Sequence, residues 1–377
     1  MSSAVESTVQ FRKVGTRRRT VKAGWLRPVG AGQVAVWQVA ALAVLATAIP
    51  LGPTGIAVIV LAVLAVALTS VRSSGLCLYQ WLLVRLGHAG AQRAVRRLAP
   101  QQDPIAAVLP GLTVHRHVDR AGNRVGVARV DDSWITVVRL LSEPDTPALI
   151  EALRAAHSRA DIPLAGAQLV VWAAPAPTAV GPGPVEPVRI HWLALRYRPA
   201  DAPGATLARG GGTTGAERAA ASAALGLVGR LAEAGQAGAV LDEPELRQDL
   251  LVALGTDPRA FAGATPGSRP EVRVEQSWRT WSIGRLHQAC FAPAGNRAAV
   301  ELLGELVPGS EFTCTSFRLG RTPGGTVEAS TGVRIGFQLK HAPRRLDRVL
   351  RGLAGDLVPL NGRHGNHVLR TLPLALD

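Results

Sequence analysis

Two uncharged apolar runs, Gln33 to Ile49 and Ile56 to Val71, constrain this chain more than any other feature of its sequence. Neither contains an Asp, Glu, Lys or Arg, and the break between them carries Pro50, Gly52, Pro53 and Gly55. At about 1.5 Å rise per residue, each run is near the short end of what spans about 30 Å of hydrocarbon as a helix. The pair predicts a transmembrane hairpin over 33–71. A cleavable signal peptide is the competing reading, set against an apolar region that begins late and is followed by a second span. A buried core hairpin is the other alternative.

Charge agrees with a membrane. Arg12, Lys13, Arg17, Arg18, Arg19, Lys22 and Arg27 precede the first run, Arg72, Arg85, Arg93, Arg96 and Arg97 follow the second, and the connecting loop carries none. The positive-inside rule therefore places both termini in the cytoplasm. These twelve cations and Glu6 are the only charges in residues 1–100, so they account for most of the net +15 and leave the remainder near balance. A nucleic-acid reader carries its basic stripe on the folded domain, often interleaved with aromatics, so no nucleic-acid partner is expected. Residues 1–32 are read as a basic cytoplasmic N-terminus that sets topology, with attraction to anionic headgroups as a secondary effect.

The next segment, 72–100, mixes apolar and basic residues at helical spacing and predicts a juxtamembrane helix, with Leu76, Leu83 and Leu86 against lipid or a partner. "GLTVHRHVDRAGNRVGVARVDD" predicts two short strands around the turn Arg120 to Arg124. From Ser133 the order becomes strand, helix, strand, strand, helix, strand, ending with "AGAVL". The linker 255–272 is rich in Gly, Pro and Ala, and the order then returns. "SWRTWSIGRLHQACF" predicts one strand and "NRAAVELLGEL" a helix. "SEFTCTSFRL" and "STGVRIGFQLK" predict strands, "APRRLDRVLRGLAG" a helix, and "DLVPL" with "NHVLRTL" closing strand material. Val333, Ile335, Phe337 and Leu339 alternate with Arg334, Gly336, Gln338 and Lys340, as one buried and one wet face would require. The fold class expected is α+β: a transmembrane hairpin followed by a cytoplasmic α/β region of two tandem split βαβ, ferredoxin-like modules, 101–254 and 273–377.

Candidate chemistry is sparse. Gly210, Gly212 and Gly215 have GxGxxG spacing before a helix, but that motif must follow a strand directly, and about ten loop residues intervene after Tyr197. Thr214 and Glu217 form a T-x-x-E capping box that explains the helix start without a ligand. Asp131 and Asp132 are adjacent, so in a strand they point to opposite faces and suit a solvated turn better than a shared metal. His115 and His117 share a strand face, and His364 and His367 sit in a Gly/Asn turn, without the third ligand zinc needs nearby. Cys77, Cys290 and Cys314 are odd in number and widely spaced, which favours a reducing compartment and small apolar roles. No catalytic, cofactor-binding or metal-binding residue is assigned, and no cofactor is expected.

The basic N-terminus, the uncharged hairpin and the stretches "VGVARVDDSWITVVRL", "GAQLVVWAAPAP" and "RIHWLALRYRP" together resemble the EccE family of actinobacterial type VII secretion systems. The resemblance implies a structural, non-enzymatic subunit of an inner-membrane complex. It would have two spans, cytoplasmic termini, and the membrane subunits EccB, EccC, which is the ATPase, and EccD as partners beside the lipid bilayer. The alternative kept open is a membrane-anchored transferase acting on nucleotide-sugar-type substrates, motivated by Asp131, Asp132 and the glycine loop.

Overall fold

Uncharged runs of Ala, Val and Leu satisfy their own backbone groups as helices, and here they form α1 (Ala31–Thr47) and α2 (Pro53–Ser70). The computed structural model describes residues 31–47, 52–73, 76–97, 102–176, 186–256, 272–293, 302–322, 326–338 and 357–376. The basic N-terminus therefore lies outside the described residues, as do most of the linker and the helix expected over 342–355. The chain divides into two units, residues 1–81 and 82–377.

In the first unit, Pro53 opens α2 at a position that needs no amide donor. Near the start of α1, Trp37 Nε1 donates to Thr69 Oγ1 near the end of α2 at 3.1 Å, and the Gln33 side-chain amide donates to Thr69 O. The two helices are therefore antiparallel. Ala40, Gly55 and Ala62 are the buried positions, small enough for close helix approach, while Leu42, Leu45, Val60 and Leu61 face outward. With 18 residues and a mean hydropathy of 2.2, α2 is long and apolar enough to cross a membrane, whereas the apolar part of α1, Gln33–Ala46, is shorter. The two-residue strands β1 (Arg72–Ser73) and β2 (Leu76–Cys77) pair before α3 (Leu78–Arg97), within which the division between units falls.

Twelve described strands of the second unit form one sheet. The first six are β3 (Thr113–Val118), β4 (Arg124–Val130), β5 (Ser133–Leu140), β6 (Gly166–Ala174), β7 (Val188–Tyr197) and β8 (Gly238–Val240). The second six are β9 (Val274–Gln276), β10 (Trp281–Ile283), β11 (Leu286–Pro293), β12 (Phe312–Arg321), β13 (Val327–Gln338) and β14 (Leu357–Pro359). The helices are α4 (Pro104–Val108), α5 (Thr146–His157), α6 (Pro203–Leu207), α7 (Gly212–Glu233), α8 (Glu243–Leu254) and α9 (His364–Arg370). Across the sheet the order is β3-β4-β5-β7-β6-β12-β13-β11-β10-β9, with β8 also on β5 and β14 also on β11, all antiparallel.

This order reads alike from either edge, and the residue registers repeat too. Val130 faces Ser133 across a two-residue turn, as Ile283 faces Leu286. Val138 faces Val240 while Leu241 N donates to Val137 O at 2.9 Å. In the second half Phe291 faces Pro359 while Leu360 N donates to Cys290 O at 2.9 Å. Through β7 and β13, Val170 on β6 and Ser316 on β12 are counterparts, opposite Trp192 and Gly332 respectively. At the seam between the halves Val170 faces Ser316 directly, so a residue meets its own counterpart. That is the pairing a local twofold axis produces.

One sheet face is covered by α5 and α7, whose Leu149, Leu153, Leu227 and Leu231 join Val138, Leu169 and Leu195. The other is covered by α8, α9 and the C-terminal segment, where Leu246, Leu250, Val368 and Leu372 join Ile135, Trp192 and Cys314. Gln168 on β6 clamps that segment across the seam: its Nε2 donates to Arg370 O and its Oε1 accepts from Ala375 N, both at 2.7 Å.

Four expectations need correction. The single strand expected over "SWRTWSIGRLHQACF" is the hairpin β10–β11, because Gly284 takes φ +58° and turns the chain. "NHVLRTL" is largely helix α9 and not strand: β14 already occupies the β11 edge, Gly362 at φ +76° redirects the chain, and Val368 and Leu372 bury at helical spacing. Within "NRAAVELLGEL", Leu302–Gly304 form a turn, and 294–301 lie outside the described residues. Finally, the second face of β13 is wet only toward its end: Gln338 is exposed, but Arg334 and Gly336 are buried beneath the end of α8 and against Phe312.

Candidate functional site

The glycine loop is a helix start and a close contact. Gly210, Gly211 and Gly212 have φ of +105°, +71° and +60°, Gly211 is the N-cap, and the preceding element is α6. A Cβ at Gly215 would lie 2.4 Å from Thr206 O, so glycine there lets α7 approach α6. The Thr214–Glu217 capping box does not form, because α7 begins two residues before Thr214. Glu217 instead reaches His115 Nε2 at 3.1 Å and His117 Nδ1 at 3.7 Å, tying α7 to the outer strand β3.

Asp131 and Asp132 form the two-residue turn between β4 and β5, with Asp131 at φ +52° and Asp132 3.5 Å from Arg198 Nε. Among the described residues, no three His, Cys, Asp or Glu side chains come together to hold a metal ion. Asp tolerates the left-handed region, and its counterpart in the second half is Gly284 at φ +58°. Asp131→Gly is accordingly expected to change stability by less than about 0.5 kcal/mol, whereas Asp131→Val costs about 1–2 kcal/mol. Urea unfolding of the two variants checks this.

A buried polar cluster on α8 escapes motif reading. On α8, whose start is fixed by a capping box of Asp242 and Glu245, Asp249 lies on the buried stripe with Leu246, Leu250 and Ala253. Its carboxylate accepts from Trp192 Nε1 at 2.7 Å and from Arg139 Nη1 at 3.1 and 3.2 Å. Burial pushes the Asp249 carboxyl above its ordinary range, against the pull of the indole hydrogen bond and the Arg139 guanidinium. Arg139 also reaches Glu245 at 3.5 Å. The signal in the sequence is an acid placed where helical spacing demands an apolar residue.

The end of α8 is gripped by a second buried group. Arg334 of β13, fully buried, donates to Gln288 Oε1 at 2.6 Å and to Ala253 O, while Gln288 Nε2 donates to Leu254 O at 2.7 Å. Its guanidinium lies 5.3 Å from the Phe312 ring centroid. A cation at a helix C-terminus is stabilised by the orphan carbonyls and the helix dipole, which accounts for a buried arginine here.

His364 and His367 lie on α9, not in a turn. Fully buried His364 accepts from Cys290 N through Nδ1 at 3.1 Å. Burial holds both histidines down to about 4, helped for His364 by the neighbouring His367, His88 and Arg363. Burial likewise pushes the Cys290 thiol up to about 12 and raises Cys314, so neither is an activated nucleophile.

These clusters fasten helices α7, α8 and α9 to a two-repeat α+β sheet, in a chain that also carries an apolar N-terminal helix pair. Residues 187–293, from β7 through β11, match the family model described as "EccE: Putative type VII ESX secretion system translocon, EccE". No curated protein matches the chain. The matched family is the one the sequence resembles, and the match supports a type VII secretion translocon component. The matched stretch holds Trp192, Glu245, Asp249 and Gln288; Arg139 and Arg334, which bind them, lie outside it.

Proposed function

We propose that this protein is a structural membrane subunit of a type VII secretion complex, which scaffolds the inner-membrane translocation assembly without catalysis of its own. The carrying observation is the family match over residues 187–293, which crosses from the first repeat into the second. The antiparallel apolar helices α1 and α2, with exposed Val and Leu side chains, support a two-span anchor with both termini cytoplasmic. Each four-strand set, β5–β8 and β11–β14, is read as a ferredoxin-like module, joined to its twin through β6 and β12. EccB, the ATPase EccC and EccD are the expected partners, together with the bilayer, and no nucleic acid is expected.

Deleting the chain is expected to stop substrate export while the ATPase remains expressed, with export restored by the intact chain; unchanged export in the deletion strain would overturn the reading. The transferase alternative has less to support it: Asp131 and Asp132 make a hairpin turn, and the glycines follow the helix α6 where a dinucleotide-binding turn follows a strand.

A further inference from the structure

The part of α3 in the second unit wears its amphipathicity inside out. The face turned to the body of the unit is largely polar. His88 meets the Trp278 ring edge-on at 5.5 Å, and Gln92 Nε2 donates to Gln276 O at 2.8 Å. Val84 lies where a Cβ on Gly362 would come within 3.0 Å of it, and Arg85 reaches over Trp278 at 5.8 Å. His88, Gln92 and Val84 recur at every fourth position and so share one face. Half a turn round the helix are Leu82, Leu83 and Leu86, exposed by 40, 63 and 70%, with Arg93 continuing the row. A helix that only packed against its own domain would turn those leucines inward. The outward leucine row calls for an apolar occupant of its own.

Two observations choose the occupant. The sequence of α3, "LYQWLLVRLGHAGAQRAVRR", contains four arginines and no acid. It also begins eight residues after α2, the helix long and apolar enough to cross a membrane. Leucines flanked by arginines only, next in sequence to a membrane helix, suit the boundary between acyl chains and anionic headgroups, where leucines sink and guanidinium groups stay at phosphate level. We propose that Leu82, Leu83, Leu86 and Arg93 form a docking face that seats the second unit on the anionic surface of the bilayer, with α3 lying in the headgroup plane. The proposal rests on the membrane placement proposed above and adds a second, peripheral point of attachment.

The test uses the full-length chain with Cys77→Ser, so that Cys290 and Cys314, both buried, are the remaining native thiols. Single cysteines replace Leu83, Leu86 or, as control, Leu207 on α6, which is 72% exposed. Each carries an environment-sensitive NBD probe, and the protein is reconstituted into vesicles of phosphatidylcholine with phosphatidylglycerol. The expected result is blue-shifted emission from positions 83 and 86, quenched by lipids labelled near the headgroup, with position 207 emitting as in water. Emission at 83 and 86 indistinguishable from 207, while the chain still floats with the vesicles, would overturn the proposal and leave the membrane anchor standing. Failure to float would remove the anchor itself. A blue shift that needs added secretion subunits and is insensitive to lipid quenchers would assign the face to a protein partner and likewise overturn the proposal.

Discussion

Asp249→Ala is expected to cost about 2–4 kcal/mol of folding stability, a large part of the roughly 5–15 kcal/mol typical of a folded domain. The substitution leaves the Trp192 indole N–H buried without its acceptor, since Trp192 is fully buried and Asp249 is its hydrogen-bond partner at 2.7 Å. It also releases Arg139, but that side chain is a third exposed and keeps Glu245 at 3.5 Å, so its share is the smaller. Asp249→Asn retains an acceptor for the indole and is expected to cost about 1 kcal/mol, the worth of the lost charge on a half-solvated pair. Urea titration of the purified chain, followed by tryptophan fluorescence, separates the two. Equal losses for Ala and Asn would show that the charge, and not the indole hydrogen bond, is what holds α8 to the sheet.

Acidification is expected to weaken the fold as its buried histidines are forced to take up protons. His157 and His364 are both buried, and burial lowers each from an ordinary 6.5 to about 4, with Arg321 adding to the effect at His157. Between those values the unfolded chain binds protons that the native chain refuses, so stability rises with pH across this window and is lost as pH falls from about 6.5 to about 4. At about 1.4 kcal/mol per unit, each histidine contributes roughly 3 kcal/mol to the loss once pH 4 is reached. His364→Asn keeps an acceptor for Cys290 N and removes the titration. With His157, His364 and His367 all held down to about 4, removing one of them is expected to lessen the fall in unfolding free energy between pH 7 and pH 4.5 by about a third relative to the wild type. A parallel decline in the two proteins would contradict the assignment of this window to buried histidines.

Much of the strand and helix content was legible because it follows local periodicity. The strands at 133–140, 166–174 and 188–197 and the helices at 146–157 and 212–233 lie where apolar spacing puts them. What local pattern cannot carry is the covering of a second face. Arg334 reads as solvent-facing beside Val333 and Ile335, yet its cover is the end of α8, some eighty residues earlier in sequence. The register repeat was equally hidden. Order alone suggested two modules, but the turn that Asp131 makes in one half Gly284 makes in the other, and Val137 stands where Cys290 does. Different residues meet the same backbone requirement, so pairing reveals a symmetry that identity does not. Asp249, by contrast, was readable in principle, as the one acid on an otherwise apolar stripe of α8.

The reading of this chain as an integral part of a secretion machine stands or falls on its company in the membrane. Membranes carrying the tagged full-length chain, solubilised in mild detergent and resolved by native electrophoresis, are expected to give one large assembly containing the chain, the ATPase subunit and the other membrane subunits. A chain that migrates alone as a monomer while those subunits co-assemble without it would contradict the account.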